Sequence, residues 1–414
     1  MSDLLTVVGF SPADEEAQAR VAEFGRLFPD VTLRFTDDGP LDEAAFLADV
    51  DAGDAPDVAY VDRDLIGALA VRGGIVPIDD WIARESLDLR QFRDTAVKHV
   101  TFRDAIYGLP ELYAIHVLFI HVAALAATSL VPADIEFGDW VRLPRANREM
   151  TYGSPAGIGR AGVDAGLPDL LPVWAKANGV DVLSADGRTA QLDDPRVLEA
   201  LEAAMVLIED HGGWQAEEQH RDQLDLFGPE HPFIRDQYGV MPLEASYLDV
   251  LAEETPYLEV IVKPLVDRHA LPLTYSHGMA WTVAAGARNS EAAFAFARVM
   301  TSPEAWVAAA KARKATADAA GRRFEAFYTA NKVADHAIWT TVWEPTGNLV
   351  WDQAAHVIRS IQETGFIVPP NAAPRAVRAA WIAGARHALR GDQGPARALK
   401  QANRTAQAAL DAAG

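Results

Sequence analysis

Leu4-Leu5-Thr6-Val7-Val8-Gly9-Phe10-Ser11-Pro12 is an apolar run of strand length that ends in a polar turn. Ser11 is positioned to cap a helix with Pro12 at its first position and Asp14 and Glu15 in its first turn. Ala17, Val21, Phe24 and Phe28 then recur at helical spacing, and Pro29-Asp30 stops the helix. Val31, Leu33 and Phe35 alternate with Thr32, Arg34 and Thr36, as a half-buried strand requires. A second helix, Leu41 to Val50, leads through Gly53 and Pro56 into the apolar run Val58 to Val61, closed by Asp62-Arg63. The first sixty residues thus read as one β-α-β unit of an α/β protein. Open parallel sheets bind ligands beyond the carboxyl ends of their strands. That rule sets Phe10-Ser11 and Asp62-Arg63 where a small molecule would dock.

The alternation of extended and helical pieces continues. A helix from Leu65 to Arg72 stops at Gly73-Gly74, and Tyr107-Gly108-Leu109-Pro110-Glu111 marks a sharp change of direction. Val117 to Ile120 is strand-like, and the Gly- and Pro-rich stretch from Pro144 to Pro172 is expected to form irregular loops. Asp193-Asp194-Pro195 opens a long helix ending at His211-Gly212-Gly213. Tyr238 to Met241, Leu258 to Val262 and Thr274 to Ala284 read as strands, and the chain beyond Glu291 is largely helical.

At 414 residues the chain is long for one core, and the absence of repeats or low-complexity linkers favours two connected lobes over two beads. The formal charge is −22, so nucleic acid is not an expected partner, because phosphate contacts need clustered Lys and Arg. Lys311-Ala312-Arg313-Lys314 reads as a solvated helix face. With no Cys, disulfides, thiolate metal sites, cysteine nucleophiles and a lipidated N-terminal Cys are excluded. No apolar stretch reaches membrane-spanning length. Met1-Ser2-Asp3 runs straight into the first strand, so a signal peptide is not expected here.

Several segments, in order, resemble those of the extracellular solute-binding proteins of ABC importers, the carbohydrate-binding group that includes maltose-binding protein. Phe28-Pro29-Asp30-Val31 resembles the family's "FP-x-V", and Gly53 to Val58 its "G-x-x-PDV". Gly74-Ile75-Val76-Pro77-Ile78 resembles "G-x-L-x-PL", and Tyr107-Gly108-Leu109-Pro110 resembles "YG-x-P". Asp139-Trp140 is a weaker match to "P-x-TW". Ser184 to Arg188 with Leu192 to Pro195 is similar to "DGK…L-x-x-P". Asn289 to Phe296 with Thr301-Ser302-Pro303-Glu304 resembles "N-x-E-A-A-x-x-F…T-S-P-E". The resemblance implies a two-lobe clamshell, each lobe a mostly parallel sheet flanked by helices. One lobe would hold residues 1 to about 110 and 272 to 335; the other would hold 111 to 271 and 336 to 414. It also implies capture of a small carbohydrate or polyol in the cleft, delivery to the importer's transmembrane subunits, and a monomer outside the cytoplasm, periplasmic or at the cell surface. A cytoplasmic location stays open, since the export signal is missing. The region Gly321 to Trp351, with Trp339, Trp343 and Trp351, matches no motif of the family.

A sugar presents hydroxyls and a flat C–H face, so its site combines polar forks with aromatic plates. Candidate contacts are Phe10, Ser11, Asp62, Arg63, Glu111, Tyr113, Trp174, Trp214, Glu244, Tyr275, His277, Trp281 and Arg378. Bland readings accompany them: Ser11 serves equally as a helix cap, Asp62 and Arg63 can pair locally, and Trp281 fits a core. Trp339 and Trp343, four apart, suit helix packing. No catalytic residue, cofactor or metal is expected. Gly157-Ile158-Gly159-Arg160-Ala161-Gly162 spells a dinucleotide fingerprint, but Ser154-Pro155 before it and Gly166-Leu167-Pro168 after it break the required context. His116 and His121 stand five apart, not the four that aligns two ligands on a helix. The competing readings are a glycosidase-like enzyme using cleft carboxylates, a sensory receptor subunit, and a binder of an anionic solute, for which Arg63 is the best-placed cation.

Overall fold

The computed structural model describes residues 4–36, 39–154, 157–255, 258–324 and 328–414. Met1-Ser2-Asp3 and Pro155 lie outside them. Two sheets organise the chain. The first runs in the order Thr32–Phe35, Leu4–Val8, Val58–Asp62, Met279–Val283, Leu109–Pro110. Its first three strands are parallel, as the β-α-β reading requires. Met279–Val283 returns antiparallel. Helices Glu15–Leu27 and Ser290–Met300 cover one face through Phe24, Phe294 and Phe296. Helices Glu43–Ala52 and Ile66–Val71 cover the other through Phe46, Leu47 and Leu69.

The second sheet runs Leu265–Val266, Pro272–His277, Ala114–His121, Tyr238–Glu244, Gly157–Val163, Tyr152–Ser154. Its pairings are mainly antiparallel rather than parallel. The reason is connectivity: the chain enters through Ala114–His121 and leaves through its neighbour Pro272–His277, which must run the opposite way. Helices Leu171–Ala177, Pro195–Asp210, Pro374–Leu389 and Pro395–Ala413 pack one core of this half around Trp174, Leu201 and Leu399.

Three local expectations need correction. Asp14, not Ser11, caps the first helix: its Oδ1 accepts from Ala17 N at 2.7 Å, and the helix begins at Glu15. Ser11 lies too early to reach that first turn. The strand expected over Thr274 to Ala284 is two strands in different sheets, broken at Gly278, whose φ of +141° suits glycine. The stretch from Pro144 to Pro172 is irregular mainly at 164–170; most of the rest is helix Arg142–Met150 and strands Tyr152–Ser154 and Gly157–Val163. Two of its glycines serve close packing: a Cβ at Gly162 would collide with the backbone of Asn147, and one at Gly159 with the ring of Tyr152. The fingerprint-like glycines therefore sit within a strand.

The three tryptophans of the region that matched no motif lie on or next to helices Lys332–Thr341 and Leu349–Ser360. Trp339 and Trp343 pack with ring centroids 4.5 Å apart, and Trp351 is fully buried, with Arg323 over its ring.

Candidate functional site

The two sheets meet where the chain crosses between them. Leu109–Pro110 ends in the first sheet and Ala114–His121 begins in the second, so Glu111, Leu112 and Tyr113 form one crossing. Gly278 forms the return. The crossings are tied together: Glu111 N donates to Met279 O at 2.9 Å, and Arg63 N donates to Gly278 O at 2.9 Å. Thr329 and Ala330 lie alongside, Thr329 bridged to Leu112 and Ala330 N donating to Glu111 O at 2.7 Å.

Beside these crossings opens a cleft with two adjoining cavities of about 640 and 490 Å³. Asp62, Asp64, Tyr275, Arg378 and Trp381 line both. The first sheet contributes Gly9, Tyr60 and Asp62, from the carboxyl ends of its strands, where the β-α-β rule places ligands. The second contributes His116, Glu244, Tyr275 and His277. Register explains this second set. Glu244 is opposite His116 and His277 is opposite Ala114, so the three side chains and Tyr275 share one face of the sheet. Arg378 and Trp381, three apart on helix Pro374–Leu389, also line the cleft.

The cleft is acidic, with much of its charge internally matched. Arg221 Nη1 lies 2.7 Å from Asp164, and Arg378 Nη2 lies 3.2 Å from Asp169. His99 Nε2 lies 2.8 Å from Asp64, and His277 Nε2 lies 3.1 Å from Glu244. Burial and the neighbouring Asp64 carboxylate raise the pKa of Asp62. Burial opposes ionisation of Asp64 too, yet His99 outweighs it and holds that carboxyl low. Burial likewise works against charge on Glu244 and His277, but their mutual hydrogen bond wins, lowering the first pKa and raising the second. Desolvation and the neighbouring charge of His277 push half-buried His116 down to about 4.

Of the sequence candidates, Asp62, Glu244, Tyr275, His277 and Arg378 come together in this cleft. The others are placed elsewhere. Phe10 and Trp281 pack with Tyr60 in the first core, Trp281 fully buried. Ser11 lines neither cleft cavity. Arg63 is wholly buried at the crossings, donating to His277 O, and burial lowers its pKa to about 10. Glu111 is also wholly buried, accepting from Arg20 and Tyr60. Tyr113 packs at the crossing, its hydroxyl 2.6 Å from Thr95 Oγ1. Trp174 is a core residue whose Nε1 donates to Ala165 O at 2.8 Å, and Trp214 is buried in the same core. Sequence reasoning missed Tyr60, Asp64, His116 and Trp381. Trp381 had a usable signal, the helical spacing from Arg378. The pairing of His116 with Glu244 is a long-range register with no local signature.

No helix among the described residues is long and apolar enough to cross a membrane. No curated protein matches the sequence. Solved structures do match. CpMnBP1 with mannotriose bound superposes with a TM-score of 0.76 at 18% identity, covering 97% of this chain and 99% of that one. An ABC substrate-binding protein from Listeria monocytogenes in complex with cycloalternan gives 0.75 at 17% identity, covering 99% of each chain. The cyclic alpha-maltosyl-1,6-maltose binding protein from Arthrobacter globiformis gives 0.72 at 16% identity, again covering 99% of each. These likenesses establish the two-lobe α/β fold. The sequence model described as bacterial extracellular solute-binding protein matches residues 10–305, and the chain belongs to that family.

Proposed function

We propose that this protein is the substrate-binding component of an ABC importer, capturing a small carbohydrate or polyol between its lobes without chemical turnover. The observation that carries this reading is the make-up of the cleft: the carboxylates Asp62, Asp64 and Glu244 and the cation Arg378 stand beside the rings of Tyr275 and Trp381. Carboxylates fork onto hydroxyls, and the rings supply plates for a sugar's C–H face. The oligosaccharides named with the three similar structures point the same way. An anionic solute is disfavoured, because Arg63 is buried away from the cleft and Arg378 and Arg221 already face carboxylates.

The lobes follow the two sheets, with the division near residue 111. Strand Pro272–His277 pairs in the second sheet, which supports a return boundary at Gly278. Ligand stabilises the closed form by contacts that the open form lacks. The closed protein then docks as a monomer on transmembrane subunits at the outer membrane face, consistent with the extracellular family.

A thermal-shift screen against mono- and disaccharides, polyols and sugar phosphates tests this. A neutral sugar at about 100 times its Kd should add about 2.7 kcal/mol of stability. Stabilisation by sugar phosphates alone, or turnover of an oligosaccharide on incubation, would overturn it.

A further inference from the structure

His116, Glu244 and His277 present one donor atom each, all within 4.8 Å of one another. The three come from adjacent strands, Ala114–His121, Tyr238–Glu244 and Pro272–His277, so the sheet itself holds them together. The set is two imidazoles and one carboxylate, a combination suited to Zn²⁺ and similar borderline ions. Mg²⁺ and Ca²⁺ favour all-oxygen shells. Bonds of about 2.0–2.1 Å to a tetrahedral ion need donors about 3.4 Å apart. The His277–Glu244 separation of 3.1 Å already fits that spacing, and the His116 donor lies within 4.8 Å of both.

The surroundings resemble the supporting groups of a metal centre. The carbonyl of Tyr275 lies 3.4 Å from His116 Nδ1, where it would fix the tautomer that leaves Nε2 free. Ser246 Oγ lies 3.5 Å from the second carboxylate oxygen of Glu244. All three side chains line one cavity, with Asp62 across the cleft. A three-donor site on a cleft wall keeps a coordination position open. The spacing of His116 and His121 along the chain gave no hint of this, because the segment is a strand and the partners lie across the sheet.

We propose that His116, Glu244 and His277 bind one divalent ion of the Zn²⁺ class, whose open position faces the solute and accepts a hydroxyl oxygen from it. The location rests on the cleft being the solute site; metal binding itself does not require a sugar.

The test uses full-length protein, metal-free and without a histidine tag, titrated with Co²⁺ and then with Zn²⁺. One equivalent of Co²⁺ should produce the intense visible absorption of a four-coordinate ion, and Zn²⁺ should displace it. H116Q, E244Q and H277Q should each weaken Zn²⁺ binding by at least about 100-fold, beyond the loss typical of outer-shell partners. H387Q, which alters an exposed His–Asp pair, should bind as the unmodified protein does. No binding, or binding unchanged in all three triad variants while their circular dichroism stays native, overturns the proposal. Sugar binding measured in the presence of a chelator separates this outcome from failure of the import reading. A sugar that binds equally well with and without Zn²⁺ would overturn the role of the open position.

Discussion

At the level of single residues, chemical type alone misled where burial decided the role. Glu111 has the carboxylate a sugar site wants, yet it is wholly buried against Arg20 and Tyr60. Removing it strands a buried guanidinium, and breaking such a pair costs about 3–5 kcal/mol. E111A should therefore lower the urea midpoint by the equivalent of that loss, where a ligand contact would lose binding and leave the midpoint unchanged. An unchanged midpoint with weakened sugar binding would restore the earlier reading. Trp381 packs in the second core yet lines both cleft cavities, and composition did not single it out. W381A should weaken the best sugar from the thermal-shift screen by about 2 kcal/mol, roughly 30-fold, measured by titration calorimetry. Asp62, Glu244, Tyr275, His277 and Arg378 were legible because each stands at a strand end, a crossing or a late helix. Trp174 and Trp281 were not separable from platform rings, because a sequence does not report which face of a helix or strand is covered.

At the level of elements, the β-α-β start, the long helices and the crossing at Tyr107 to Glu111 follow from local patterning. The break at Gly278 was hidden, since strands Pro272–His277 and Met279–Val283 look like one run until their sheets are known. A side chain at Gly278 would press on Leu112 O and come within 2.9 Å of Arg63 Nη2 at a φ that L-residues avoid. G278A should destabilise the protein by about 1–3 kcal/mol in chemical unfolding, and a loss near zero would show that the crossing has slack. Helix Tyr247–Glu254 carries a second testable group. Burial pushes the carboxyl of half-buried Asp249 from 3.8 up to about 6, with Arg313 opposing. Between those values the unfolded chain loses its proton first, so stability falls as pH rises through this window and levels off above it. D249N should remove that loss, raising the melting temperature near pH 7 while leaving it unchanged near pH 4. An equal gain at both would mean that titration is not the cause.

At the level of the whole molecule, two sheets with separate cores are joined by crossing segments and share an open cleft in which carboxylates stand beside aromatic rings. That arrangement suits a population shift, in which solute contacts on both walls favour closure and a solute held by one wall moves nothing. The order of motif-like segments along the chain made this architecture readable, because a two-lobe topology fixes where each crossing must fall. The mainly antiparallel second sheet was not readable, because its pairings join strands far apart in sequence. Small-angle scattering, with and without a saturating sugar identified by the thermal-shift screen, tests the closing clamshell most directly. The radius of gyration should shrink on binding; an unchanged radius with the sugar demonstrably bound would mean that the lobes do not close.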